Sequence, residues 1–237
     1  MSSHSVILAP VMPVWDKGNF CSPLKNLFLE RGFKVTLLDT LSLFSSNSTI
    51  EVISSLIAKF KERFQEPFVL VGFSMAGTLV QMLAAQLPNV QAVLAVNAPG
   101  YPDKTLQQRL GSVLTLLENG DLSAALETLD SFVQPIGTIE KRVLLEIPDE
   151  QKNLAIERMT RGFKFLLGMD ARDEIIKYTG RFLALVGENS QLATVDNQTR
   201  SHCMHHEYKI ITGAGTRLWE DNPTMTDAII DEWIGRL

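Results

Sequence analysis

The sequence predicts an α/β protein in which a parallel sheet of about six strands is flanked by helices. Short apolar runs without polar alternation, typical of strands covered on both faces, are separated by segments with apolar residues at helical spacing. A long helical stretch, residues 98–180, interrupts this alternation before the strand pattern resumes. We therefore expect residues 1–97 and 181–237 to form one core, with 98–180 inserted between the fourth and fifth strands.

The first part of the chain alternates between predicted strands and predicted helices. The strands cover 6–9, 34–38, 68–71 and 92–96, and the helices cover 23–31, 49–64 and 78–87. Gly32 ends the first helix, and the serines before residue 49 offer N-caps for the second. Because strand–helix–strand crossovers are right-handed, we expect the functional site in the loops at the carboxyl ends of the strands.

The inserted stretch carries helical patterns instead. They cover 106–117, 122–132, 139–147 and 149–167, with Gly120, Pro135 and Pro148 as breaks. Its larger apolar residues are either core or pocket lining, and most must be core because a helical stripe usually serves packing. They include Phe132, Phe163, Phe165 and Met169. Strand patterns return at 181–186 and 207–212.

One predicted strand runs directly into a turn that presents a single serine. The turn reads Gly72-Phe-Ser-Met-Ala-Gly77, so that Ser74 lies between small residues, Gly72 and Ala76. A side chain on so sharp a turn has a strained backbone and needs small neighbours. This strand–turn–helix pattern is typical of the nucleophile elbow G-x-S-x-G, with Ala76 in the last place. The alternative is a Gly-Ser turn in another α/β protein.

These residues resemble the α/β-hydrolase superfamily, in particular its small esterases, thioesterases and acyl hydrolases, over nearly the whole chain. The resemblance implies a helical cap that roofs a pocket for a mostly apolar substrate with one polar handle. It also implies an oxyanion hole formed by the backbone N–H of Met75 and, because Pro10 has none, that of Val11 or Met12. The alternative for this first loop is a rigid segment that merely closes the sheet edge. Asp39, after the second strand, is expected to be structural.

Two positions depart from the family's catalytic triad. In the family, the loops after the last two strands carry an acid in Gly-x-x-Asp and a histidine in Gly-x-Gly-His. The matching segments here end in Ser190 and Thr216, which therefore stand at the acid and histidine positions. Since a threonine hydroxyl cannot take the proton of Ser74 at a useful pKa, we expect ordinary ester turnover to be nearly absent.

A replacement base is not evident among the other titratable residues. The histidines precede strands, and a strand of about six residues at about 3.3 Å each places most of them roughly 20 Å from Thr216. They are His4, His202, His205 and His206. Carboxylates near the expected site have too low a pKa unless buried, and are better explained as surface or supporting residues. They are Asp16, Glu188 and Glu220.

The composition of the chain restricts the classes of molecule that it is expected to bind. A formal net charge of −5 argues against nucleic acid and anionic membranes, which require a basic face. The amino terminus lacks the features of a signal peptide, and no apolar stretch is long enough to cross a bilayer. Cys21 and Cys203 are too few for a disulfide framework, which favours a reducing cytoplasm. The His-Cys cluster at 202–206 favours a solvated loop, so we expect neither a metal nor a cofactor.

Two classes of function are left open. In the first, Ser74 with the N–H groups of Met75 and Val11 holds a small acyl, ester or thioester-type ligand and supports weak hydrolysis or a non-hydrolytic step. In the second, the protein is a catalytically inactive binding or regulatory pseudoenzyme. A serine esterase or thioesterase with an unrecognised base is a further alternative. Apolar faces of the cap could equally form contacts in a homo-oligomer.

Overall fold

The computed structural model describes residues 3–139 and 146–237. Within this part of the chain the strands are β1 (His4–Leu8), β2 (Lys34–Leu38), β3 (Phe68–Phe73), β4 (Val90–Val96), β5 (Arg181–Gly187) and β6 (His206–Ile211). They form one sheet in the order β2-β1-β3-β4-β5-β6, and every neighbouring pair is parallel. The predicted fold class, a parallel sheet of six strands flanked by helices, is confirmed.

Helices occupy the connections. They are α1 (Ser22–Glu30), α2 (Thr49–Arg63), α3 (Met75–Leu83), α4 (Lys104–Glu118), α5 (Leu122–Val133), α6 (Asp149–Leu167), α7 (Arg172–Ile175), α8 (Leu218–Asp221) and α9 (Pro223–Ile234). Side-chain N-caps explain where several of these helices begin. The side chains of Ser48, Asp103 and Asp121 accept N–H bonds from the first turns of α2, α4 and α5.

One predicted helix begins at a different residue in the structure. Helix α3 begins at Met75, three residues before the predicted start, because the elbow turn continues directly into it. The predicted helix 139–147 lies for most of its length outside the described residues. The sequence analysis contains no prediction for α8 and α9, although Asn222 before Pro223 is a recognisable helix start whose side chain accepts from the Met225 N–H.

Each face of the sheet buries its own apolar cluster, which explains the absence of alternation in the central strands. On one face, Phe28 of α1 and Trp233 of α9 pack with Val69 and Val71 of β3. On the other, α2 and α3 pack with Leu70 and the remaining inward residues of β3. Helices α4 and α6 of the insertion contribute to this second cluster. The insertion therefore packs against the same core as the sheet, and the division at residues 98 and 180 stays a prediction.

Candidate active site

Ser74 lies at the sharp turn between β3 and α3, with φ 49° and ψ −119°. A non-glycine residue at positive φ is strained, and such strain is typical of functional turns. Backbone hydrogen bonds hold the turn: the Ser74 N–H donates to the Val96 carbonyl at 2.9 Å, and the Ser74 carbonyl accepts from Gly77 N at 2.8 Å and Thr78 N at 3.1 Å. The turn is therefore fixed both by β4 and by the first turn of α3.

Close backbone approach around Ser74 explains the small residues of the motif. A Cβ on Gly72 would lie 2.2 Å from the Ala76 carbonyl oxygen, and one on Gly77 would lie 2.4 Å from the Ala98 Cβ. The sequence predicts this space limitation at Gly72 and Ala76. The structure adds Gly77, which lies directly against Ala98 in the segment after β4.

A cavity of about 280 Å³ opens over Ser74. Most of its wall is apolar: Pro10, Val11, Met12, Pro13, Phe20, Phe73, Val96, Leu126, Leu129, Val133, Phe163 and Leu192. The polar lining residues are Ser74, Asn97, Asp130, Thr216 and Arg217. Helices α5 and α6 of the insertion thus supply part of the cavity wall.

Of the large apolar residues considered in the insertion, Phe163 lines this cavity. Phe165 is buried with its ring centroid 4.4 Å from that of Phe44, and Met169 is buried in the core. Phe132 packs beneath the guanidinium of Arg109. Core packing accounts for most of these side chains, as the helical stripe predicts.

Ser190 and Thr216 come together beside the cavity. Their hydroxyl oxygens lie 3.4 Å apart, and Thr216 forms part of the cavity wall. Asn97 holds Ser190 from the other side, since its Nδ2 donates to Ser190 Oγ at 3.2 Å while its Oδ1 accepts from the Gly187 N–H at 2.9 Å. The two loops that the sequence pairs as the acid and histidine loops therefore do meet, and Ser74 and Thr216 face the same space.

The architecture is shared with solved structures over almost the whole chain. An α/β hydrolase, MGS-M2, from a Medee basin deep-sea metagenome library matches with a TM-score of 0.73 at 13% identity, over 99% of this chain and 90% of its own. A bromoperoxidase from Bacillus anthracis matches with 0.69 at 15% identity, over 99% and 92%. A lipase-esterase related protein from Clostridium acetobutylicum matches with 0.68 at 16% identity, over 99% and 94%.

The chain has the α/β-hydrolase fold. The predicted resemblance is confirmed at the level of the fold, and at these identities the likeness extends no further. No protein-family model matches the sequence, and comparison with curated proteins finds no significant relative. The activity of this α/β-hydrolase-fold protein therefore has to be argued from its own site.

The histidines of the chain lie at other places in the hydrolase fold. His4, at the amino end of β1, has its Nε2 2.8 Å from Thr36 Oγ1. His206 begins β6 and packs between the rings of Tyr178 and Phe182. Burial is the main cause that lowers the pKa of both imidazoles. Among the described residues that line the cavity, none is a histidine.

The alternative carboxylate bases each have a structural partner. Asp16 accepts the N–H groups of Gly18 at 2.8 Å and Phe20 at 2.7 Å, which closes the first loop. Glu188 accepts the Gly213 N–H at 2.8 Å. Glu220 forms an ion pair with Arg217 at 3.3 Å. None of the three carboxylates is among the described cavity-lining residues.

Asp130 and Arg217 are cavity residues that the sequence analysis does not identify. The Asp130 side chain is 11% exposed, accepts from Gln134 Nε2 at 2.5 Å, and lies 3.8 Å from an Arg217 nitrogen. The sequence does contain an indication for Asp130, because this residue interrupts the apolar stripe that Leu126 and Val133 form on α5. A charged residue within such a stripe indicates either a partner or a site.

The loop after β1 supplies another part of the wall, residues 10–13. Its first residue follows Ala9, whose N–H donates to the Leu38 carbonyl at 3.0 Å. Met75 is the first residue of α3, and the first N–H groups of a helix have no acceptor within it. Both predicted oxyanion donors, Val11 and Met75, therefore belong to segments next to Ser74, and their role stays a prediction.

In residues 3–139 and 146–237, His, Cys, Asp and Glu side chains form no group of three that could hold a metal ion. No helix of the described chain combines the length and the apolar character needed to span a bilayer. Both cysteines are free, and burial raises the pKa of the Cys21 thiol to about 12, which leaves it inert at neutral pH.

Proposed function

We propose that this protein binds a small acyl, ester or thioester-type ligand over Ser74, with hydrolysis that is slow or replaced by a non-hydrolytic step. The observation that carries the proposal is the contrast between the two halves of the site. Ser74 keeps the strained backbone of an elbow and faces a cavity. The hydroxyls of Ser190 and Thr216 contact each other where an acid and an imidazole would be needed.

Proton transfer is the missing part of the chemistry. A serine hydroxyl attacks a carbonyl only when a base takes its proton, and a threonine hydroxyl is not such a base. Loss of triad residues in related chemistry lowers turnover by about 10⁴ to 10⁶, with a residual rate from the oxyanion hole and binding. We infer that ester hydrolysis by this protein lies in that residual range.

Carbonyl binding does not need the base. Under the proposal, the N–H groups of Val11 and Met75 and the hydroxyl of Ser74 hold the oxygen of a carbonyl or carboxylate. Such donors stabilise developing negative charge because they are oriented before the ligand arrives. A step in which positioning and hydrogen bonds suffice would then still be supported.

The cavity favours a particular kind of ligand. The cavity volume of about 280 Å³ lies near the lower end of the volumes of small-molecule sites. The apolar side chains of α5 and α6 favour an acyl chain, and the charged pair Asp130 and Arg217 offers contacts to a polar handle. The acidic net charge and free cysteines support a cytoplasmic protein without a nucleic-acid or membrane partner. A homo-oligomer stays a prediction.

The experiment compares the wild type with Ser74→Ala. A fluorophosphonate probe should label the wild type slowly and Ser74→Ala not at all, as read by intact mass. Hydrolysis of 4-nitrophenyl butyrate should stay close to the buffer rate for both. If the wild type hydrolyses the ester at a rate typical of esterases and Ser74→Ala does not, an unrecognised base must activate Ser74. That result would contradict the proposal.

Ligand binding is tested separately with octanoic acid by calorimetric titration. Leu129→Trp fills the cavity and should abolish binding, whereas Leu154→Trp on α6, at a leucine that is 57% exposed, is the matched control and should not. Equal binding by both variants would place the ligand elsewhere.

The second candidate is a binding protein without chemistry. It is favoured by the network around Ser190, in which Asn97 and Thr216 both contact its hydroxyl. This network is complete without a catalytic partner for Ser74. Octanoic acid binding that is equal in wild type and Ser74→Ala, with no probe labelling of either, would select this candidate.

A further inference from the structure

Helix α6 of the insertion contacts the loop after β1 through Arg158. The two terminal nitrogens of Arg158 each donate to one oxygen of Asp39 at 2.9 Å, and its Nε donates to the Met12 carbonyl at 3.2 Å. The side chains are only 15% and 11% exposed. A planar guanidinium presents two nitrogens to the carboxylate and a third to the carbonyl in a fixed geometry, which the single nitrogen of an ammonium group does not provide. Arg158 therefore ties the end of β2 to the cavity loop.

Gly162 provides a second, independent contact one helical turn later. A Cβ on Gly162 would lie 2.5 Å from Val11 Cγ2 and 3.1 Å from Leu41 Cδ2. Glycine within a helix costs about 1 kcal/mol relative to alanine. Gly162 is buried within α6. The glycine is needed there because it allows the side chain of Val11 to pack directly against the helix.

Near its start, the loop is fixed by the sheet. The Ala9 carbonyl accepts the buried Thr40 hydroxyl at 2.6 Å, and Pro10 and Pro13 restrict the backbone on either side of Val11 and Met12. Between these prolines, the contacts that orient the chain come from α6: Gly162 against the Val11 side chain and Arg158 on the Met12 carbonyl.

We propose that Arg158 and Gly162 are positioning residues that set the orientation of the Val11–Met12 backbone at the cavity. Helix α6 is then part of the rigid support of the carbonyl-binding site, and its displacement would move the loop with it. The inference rests on the proposed function only in that the Val11 N–H is taken as an oxyanion donor. The coupling of α6 to the loop stands on the contacts alone.

The first test uses Gly162→Ala in the otherwise unchanged chain. The added methyl group overlaps Val11 and should displace the loop, so that hydrogen–deuterium exchange of the Val11 and Met12 amides, the two backbone N–H groups of residues 10–13, accelerates about tenfold or more. Gly111→Ala on α4 is the matched control, because a Cβ there meets no atom within 4 Å. It should leave the exchange of the loop unchanged. Val11→Ala combined with Gly162→Ala makes room for the methyl group and should restore slow exchange.

A second variant addresses Arg158 without unpairing Asp39. Arg158→Lys keeps a positive charge opposite the carboxylate but replaces three nitrogens in a fixed plane with one, so that the geometry on the Met12 carbonyl is lost. We expect faster exchange of residues 10–13 with a nearly unchanged denaturation midpoint. Unchanged loop exchange in both Gly162→Ala and Arg158→Lys would overturn the inference.

Activity supplies the remaining readout. In a chain carrying Ser190→Asp and Thr216→His, Gly162→Ala should lower kcat about 10- to 100-fold with little change in KM, as expected for a displaced oxyanion donor. An unchanged kcat would contradict the assignment of the Val11 N–H as an oxyanion donor. If the triad-restored chain is itself inactive, the alignment of the acid and histidine loops is contradicted, whereas the exchange experiment still decides whether α6 positions the loop.

Discussion

The hydroxyl oxygens of Ser190 and Thr216 lie 3.4 Å apart although the residues are 26 positions apart in the chain. In a hydrolase with a complete triad, the corresponding pair is an acid that orients an imidazole. Here the same spatial relationship joins two hydroxyls that are neutral at physiological pH. Under the proposed function, the site has the layout of an acid–base pair without its proton chemistry.

Restoring both side chains should restore hydrolysis. Ser190→Asp with Thr216→His places a carboxylate beside Asn97 Nδ2, which donates to position 190 already, and an imidazole in the cavity wall. We expect kcat/KM for 4-nitrophenyl butyrate to rise about 10² to 10³-fold above the wild type. Each single replacement is the control and should stay near the wild-type rate. A double variant that folds, by circular dichroism, and stays inert would contradict the alignment of these loops.

Relief of strain at the elbow should be measurable. Ser74 has φ 49°, which glycine adopts without the penalty that other residues incur. Ser74→Gly should therefore unfold with a free energy about 1 kcal/mol higher than Ser74→Ala, which removes the hydroxyl but keeps a Cβ. Urea denaturation of the two variants gives the comparison. Equal stability would mean that the turn relaxes once the hydroxyl is gone.

The pair Asp39 and Arg158 should show strong coupling. Arg158→Met leaves a carboxylate that is 11% exposed without its partner, and should lower the free energy of unfolding by about 3 kcal/mol. Adding Asp39→Leu removes the uncompensated charge and should return stability to within about 1 kcal/mol of the wild type. A double-mutant cycle in urea measures this. Additive losses would show that the two side chains act independently.

Stability should fall at acidic pH partly through His206. Burial lowers its pKa below the ordinary value of 6.5, with the nearby His205 as a smaller cause in the same direction and the Tyr178 and Gly180 backbone as partial offsets. The unfolded chain therefore takes up a proton before the folded one does. This contribution is complete above pH 6.5 and is lost as the pH falls toward the folded-state pKa.

His206→Phe should flatten the dependence of the unfolding free energy on pH between 7.5 and 5. The apolar ring suits the contacts with Tyr178 and Phe182. His4, whose pKa is also lowered, should account for part of the remaining slope. His202→Gln, at an exposed position, is the control and should leave the slope as it is. A slope that is unchanged in His206→Phe would contradict the assignment.

Local sequence determined the strands, the elbow and the pairing of the last two loops. Strand β3 is recognisable because each residue from Phe68 to Phe73 is buried, which requires an uninterrupted apolar run. The resemblance to the family's Gly-x-x-Asp and Gly-x-Gly-His segments predicts the pairing of Ser190 with Thr216, and the structure brings the two loops together because β5 and β6 are adjacent. These features follow from residue order and element type.

Tertiary structure alone decided which distant side chains meet at and around the cavity. Arg158 contacts Met12, which is 146 positions away in the sequence, and Asp39, which is 119 positions away. Position 162 requires a glycine because the Val11 side chain packs against it. Helical spacing shows that α6 has a buried face, but it does not show which loop that face meets. Asp130 interrupts the apolar stripe of α5, but only the packed structure shows that α5 lines the cavity at this residue. Such contacts depend on how separate elements pack, and packing is a property of the assembled layers rather than of any one segment.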